Sequence, residues 1–82
     1  VLSLLLLCDE RLDDPQGFAA MLEELCRKLS EKLKGTELLM RLEGFRRDVE
    51  LEASRGYLAE VHVNRWKLLK EEVERALARR TR

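Results

Sequence analysis

The stretch Ser54-Arg55-Gly56-Tyr57-Leu58-Ala59-Glu60-Val61-His62-Val63-Asn64-Arg65-Trp66 decides how this chain folds. Either the backbone turns at Gly56 and doubles back, or one helix runs through it. A turn lets a short chain cover its own apolar surface. An unbroken rod is too long for the rest of the chain to cover, and it needs a partner.

Two features favour the rod. With Leu42 as heptad position a, the a sites are Leu42, Val49, Gly56, Val63, Lys70 and Leu77. The d sites are Leu38, Phe45, Glu52, Ala59, Trp66 and Val73. Nine of these twelve are apolar and the register passes through Gly56 unbroken, as a continuous packing seam requires. The second feature is capping. After a turn, Tyr57 and Leu58 would open the new helix, and neither has a capping side chain. A lone glycine inside a helix costs only about 1 kcal/mol relative to alanine. The expected element is therefore one coiled-coil-like helix over about residues 37–80. A kink at Gly56 is the main alternative, and a turn there stays open.

Working back towards the N-terminus, the punctuation is clearer. Gly35 stands where a left-handed C-terminal cap is wanted, and Thr36 directly after it is an N-cap residue. Together they predict a tight helical hairpin. Before it, Phe18, Met21, Leu22, Leu25, Leu29 and Leu33 recur at spacings of three and four, one apolar stripe of a helix over about residues 15–34. Asp14-Pro15 opens that helix: Asp accepts a backbone N–H, and Pro fits the first helical position. The leucine run from Val1 to about Leu12 reads as a short buried helix, about residues 1–12. Eight apolar residues do not settle the period, so a buried strand is the alternative there.

The fold class is thus all-α: a short N-terminal helix, a middle helix and one long C-terminal helix, forming a helical hairpin or small bundle. The 82 residues agree, with 39% charged, 45% apolar and only 5% aromatic, a helix-bundle composition rather than that of a sheet or a disordered chain. One helical domain, read as a fragment of a longer protein, is expected. The leucine run lacks a basic leader and a cleavage site, and it falls far short of the roughly 20 apolar residues that span a membrane. Cys8 and Cys26 lie among leucines and form no disulfide framework. Reduced thiols point to an intracellular, cytoplasmic or nuclear protein.

The lengths give the functional expectation. A helix of about 44 residues spans roughly 66 Å, and the preceding segments cover about 30 Å and 18 Å. Some of Trp66, Leu68, Leu69, Val73 and Leu77 would then lie bare. Leu51, Leu58, Val61 and Leu68 lie off the seam, on a second apolar face, the pattern of a helix packed between two neighbours. The expected partner interface is Leu51, Tyr57, Leu58, Val61, Val63, Trp66, Leu69, Val73 and Leu77. It would serve a non-enzymatic protein–protein interaction or oligomerisation module, an assembly or scaffold segment. Glu52 and Lys70 are charged where a seam wants apolar groups, and such residues can specify register.

Charge suggests an alternative. Residues 65–82 hold seven Lys/Arg against three Asp/Glu, and residues 1–64 hold nine against thirteen. This basic tip is either a complement to a helix dipole or an anion contact. As a nucleic-acid-binding surface it would use Arg65, Lys67, Lys70, Arg75, Arg79, Arg80 and Arg82, with Arg75, Arg79, Arg80 and Arg82 as the anion contacts. Glu71, Glu72 and Glu74 interrupt the run. His62 is the single histidine and has no nucleophile or second titrating group at a catalytic spacing. With the two cysteines it makes no metal-ligand pattern, and no glycine loop for phosphate is present. No cofactor and no enzymatic reaction are expected.

Overall fold

A computed structural model describes residues 2–80, with Arg80 described by its backbone alone. Four helices follow one another: α1 Leu2–Glu10, α2 Pro15–Lys32, α3 Glu37–Ala53 and α4 Glu60–Arg80. No strand occurs among the described residues, so the leucine run is a helix. It buries Leu5 and Cys8, one turn apart, and half-buries Leu4 against the same core, while Leu2 and Leu6 are exposed; the helix ends at Glu10, and Leu12 packs on the core from the turn that follows.

α2 starts as its sequence dictates. The Asp14 carboxylate accepts the Gly17 N–H at 3.2 Å, and Pro15 occupies the first turn. Phe18, Leu22, Leu25, Leu29 and Leu33 form its buried stripe, joined by Cys26. Gly35 then takes φ +76°. Thr36 is extended, and its hydroxyl oxygen accepts the Leu39 N–H at 3.2 Å to open α3. The same hydroxyl donates to the Leu33 carbonyl at 2.6 Å. One side chain thereby joins the end of α2 to the start of α3.

The expected helix over residues 37–80 is two helices. α3 stops at Ala53, Gly56 takes φ +85°, and α4 begins at Glu60. The Gly56 N–H bonds the Ala53 carbonyl at 2.9 Å and the Tyr57 N–H bonds the Glu52 carbonyl at 3.4 Å. That pair of bonds around a left-handed glycine is a Schellman motif. Heptad spacing misleads here for a simple reason. It reports which face of each segment is buried, not whether the backbone between the segments is helical. Leu42, Phe45 and Val49 of α3 and Trp66, Val73 and Leu77 of α4 are all buried, as the seam requires. They meet across a fold-back instead of along one rod, and the C-terminal helix is 21 residues long.

The molecule measures 40 × 22 × 19 Å, well short of the roughly 66 Å of the rod. α1 packs on α2, α2 on α3 and α3 on α4. Three aromatic rings, one from each of α2, α3 and α4, close the centre. Trp66 meets Phe18 edge-on at 5.5 Å and stacks near-parallel to Phe45 at 6.5 Å, while Phe18 and Phe45 meet edge-on at 6.3 Å. Aromatic pairs in such arrangements add about 0.5–1.5 kcal/mol beyond their buried area.

Candidate functional site

The second turn has no capping side chain of its own, as the sequence indicates. The cap comes from α3. One Glu52 carboxylate oxygen accepts the Ala59 N–H at 2.9 Å, just ahead of α4, and the other lies 3.0 Å from His62 Nε2. Arg65 Nη1 sits 3.2 Å from His62 Nδ1. A guanidinium only donates, so Nδ1 is the acceptor and Nε2–H donates to Glu52. Arg65 also donates to Asp48 at 3.1 Å, with its guanidinium 5.1 Å above the Phe45 ring. Nearer the far end, Arg41 forks onto both oxygens of Glu72 at 2.8 and 3.0 Å. These bridges hold α3 and α4 antiparallel. Glu52, a flaw in a continuous seam, is the strut of the hairpin.

Lys70 has a similar explanation. Its ammonium donates to Asp9 at 2.7 Å, and the Trp66 indole N–H donates to the other Asp9 oxygen at 3.0 Å. The bond from Lys70, helped by that from Trp66, holds the Asp9 carboxyl below its usual range, and Asp9 raises Lys70 in turn. Both seam charges thus fix contacts within this chain.

The expected interface residues separate into two groups. Trp66, Leu69, Val73 and Leu77 lie in the core of a single copy, and Val63 and Leu58 are half-buried, Leu58 against the core. The length mismatch that would have exposed them does not arise, because α4 returns along the bundle. Leu51, Tyr57 and Val61 are exposed. Leu68, the other exposed member of the second apolar face, joins them at 65% exposure, and so does Met40 at 69%.

Of these, Met40 and Leu51 belong to α3 and Val61 and Leu68 to α4. Met40, Gly44, Arg47 and Leu51 follow at helical spacing on the outer side of α3. Val61, Leu68 and Arg75 do the same on α4 at intervals of seven. A groove of about 480 Å3 runs between the two helices, lined by Gly44, Arg47 and Leu68 with the two bridging arginines and Asp48. Nothing lies within 4 Å of where a Gly44 side chain would begin. The exposed helix spacing of Met40, Gly44, Arg47 and Leu51 was the available sequence signal for this face.

The basic tip is partly consumed. Arg65 and Lys70 are engaged with Asp48 and Asp9. Arg75 donates to the Glu71 carbonyl at 3.4 Å and, like Arg79, is exposed on α4. Arg82 and the side chain of Arg80 lie outside the described residues. Burial pushes the Cys8 thiol up to about 12 and Cys26 up to about 11, which makes both poor nucleophiles. Among the described residues no helix is long and apolar enough to cross a membrane, and no three His, Cys, Asp or Glu side chains cluster as metal ligands. Compared with protein-family models, curated proteins and solved structures, the chain matches none.

Proposed function

We propose that this chain is a non-catalytic helical interaction module that docks another protein on the outer face of α3 and α4. One observation carries the reading. After the chain has folded back and buried Trp66, Leu69, Val73 and Leu77, Leu68 still stands exposed in the groove between α3 and α4, and Met40, Leu51 and Val61 are exposed on the same two helices. A Leu-sized side chain is worth about 1.5–3 kcal/mol on burial, and exposed apolar surface at a groove marks contact surfaces. The α3–α4 bridges tie the two helices side by side. The exposed pair Leu2 and Leu6 on α1 is smaller.

A photo-crosslinking side chain placed at Leu68 or Leu51, and at Lys28 on the exposed side of α2 as a control, tests this reading in native extract. The expected result is one defined protein adduct from the α3–α4 positions and none from Lys28. Equal labelling from all three positions, or no adduct at all, overturns it. Retention of a labelled DNA or RNA oligonucleotide, lost on replacing Arg75 and Arg79, would favour the nucleic-acid alternative instead.

A further inference from the structure

We infer that His62 is an acid-sensitive latch on the wall of the α3–α4 groove: neutral, it holds Arg65 in place, and protonated, it lets Arg65 go. The latch stands whether or not a protein docks in the groove.

His62 is the single histidine of the chain and is buried at 8% exposure. Its two ring nitrogens face opposite chemistry. Nε2 lies 3.0 Å from a Glu52 carboxylate oxygen, and Nδ1 lies 3.2 Å from Arg65 Nη1. The ring meets Phe45 edge-on at 6.0 Å, and the Arg65 guanidinium covers the same Phe45 ring at 5.1 Å. A neutral imidazole offers one N–H and one bare nitrogen, which suits a carboxylate on one side and a guanidinium on the other. The charged neighbours come from each packed element. From α3 they are Glu52 and, through Arg65, Asp48. From α4 itself they are Arg65 and the exposed Glu60 of the first turn. Asp9 of α1 reaches α4 further on, where it is committed to Trp66 and Lys70. α2 meets this part of α4 through the uncharged Phe18 ring on Trp66.

Protonation acts in opposite directions on the two sides of the ring. An imidazolium donates from both nitrogens. The bond from Nε2 to Glu52 then joins full charges and strengthens. At Nδ1 a donor now faces a donor, and a cation faces a cation. The Arg65 contact therefore belongs to the neutral ring. It is present above the pH at which the ring takes its second proton, and it is lost as pH falls through that point. Histidine as a residue type changes charge between about pH 5 and 8.

The part that moves is the groove wall. Arg65 and Asp48 both line the groove. Their side chains are 40% and 51% exposed, so a released guanidinium has room to swing outward with Asp48 as its remaining partner. Glu52 stays on His62 and on the Ala59 N–H. The turn thus keeps its cap while the wall rearranges.

The test is an NMR titration of the full 15N-labelled chain from about pH 8 to about pH 5. With one histidine in the chain, the ring signals belong to His62 without ambiguity. At the upper end, long-range 1H–15N correlations should show Nε2 protonated and Nδ1 bare. As the ring gains its proton, the Arg65 side-chain signals should shift with the same midpoint. His62→Gln, which keeps an amide towards Glu52 but does not titrate, should abolish that shift. Asp48→Asn should leave it in place. A neutral ring protonated at Nδ1, or Arg65 signals unmoved while the ring titrates, overturns the latch. So does a shift that survives in His62→Gln, which would assign it to the carboxylates. The tautomer and the shared midpoint are read on the unmodified chain, so the proposal stays open to refutation even if His62→Gln fails to fold.

Discussion

Gly35 and Gly56 both follow a helix end in the left-handed region, at φ +76° and +85°, but the two turns are specified differently. The first is self-contained: Thr36 follows its glycine, accepts the Leu39 N–H, and donates to Leu33 behind it. The second depends on groups remote in sequence. Its cap is Glu52, seven residues before the N–H it accepts, and α4 is held by Phe18, Phe45 and Asp9 from three other helices. The difference shows that a turn can be written in tertiary contacts as firmly as in adjacent residues. The local alphabet for the second turn is then incomplete.

The largest test of that difference is to remove what α4 docks into. Trp66 is fully buried at the meeting point of three helices. Trp66→Ala should cost about 3–5 kcal/mol, enough to abolish cooperative folding in a chain of this size. Far-UV circular dichroism against urea reads it. If the second turn were self-sufficient like the first, α4 would stay docked and the loss would fall well below that range.

Next in size is the strut. Glu52→Ala leaves the Ala59 N–H and His62 Nε2 without their acceptor, which should cost about 1–3 kcal/mol. The matching change at the first turn, Thr36→Ala, should cost about 1 kcal/mol, as for other N-caps. Glu52→Gln keeps an acceptor for Ala59 and should recover part of the loss. Equal or smaller destabilisation by Glu52→Ala than by Thr36→Ala, in the same urea titration, would mean that the second turn does not rely on its remote cap.

The two glycines give a comparison of sign. Both have open space around them, so an added methyl meets backbone strain and no clash. A left-handed non-glycine residue costs roughly 1–2 kcal/mol, and Gly35→Ala and Gly56→Ala should both destabilise by about that much. A helix running through Gly56 demands the opposite, since alanine stabilises a helix interior by about 1 kcal/mol over glycine. Gly44→Ala, within α3, supplies the stabilising control. A raised melting temperature for Gly56→Ala would restore the rod.

Much of this architecture was legible in sequence. Asp14-Pro15, the Phe18-to-Leu33 stripe, and Gly35-Thr36 each carry their structural meaning within a few residues, and α2 and the first turn follow directly. The inward faces of α3 and α4 were also legible, because heptad spacing records burial. The connection between them was not. Tyr57 and Leu58 offer no cap, and nothing near Glu52 in sequence announces that its carboxylate will reach across the turn. The candidate face was half legible. Leu51, Val61 and Leu68 stood out as apolar residues off the seam. Trp66, Leu69, Val73 and Leu77 looked available only because the rod placed them beyond cover.

The smallest effect concerns the third tether of α4, and it separates charge from packing. Asp9 accepts from Lys70 and from the Trp66 indole, and the Lys70 bond leads in holding its carboxyl below the ordinary range. A depressed folded value means that the stabilisation is complete above the unfolded aspartate value near 3.9. It is lost as pH falls through the lower folded value. Lys70 is raised, so its share is complete below the unfolded lysine value near 10.4 and fades as pH climbs through its folded value. Both side chains keep water contact, at 35% and 23% exposure, so the effect should be smaller than those above. Asp9→Asn retains an oxygen for the indole N–H while removing the charge. Its stability deficit against the wild type should be level from about pH 5 to 9 and shrink on both sides. A deficit unchanged into strong acid would assign this tether to the neutral indole bond alone, with the second turn then resting on Glu52 and the aromatic core.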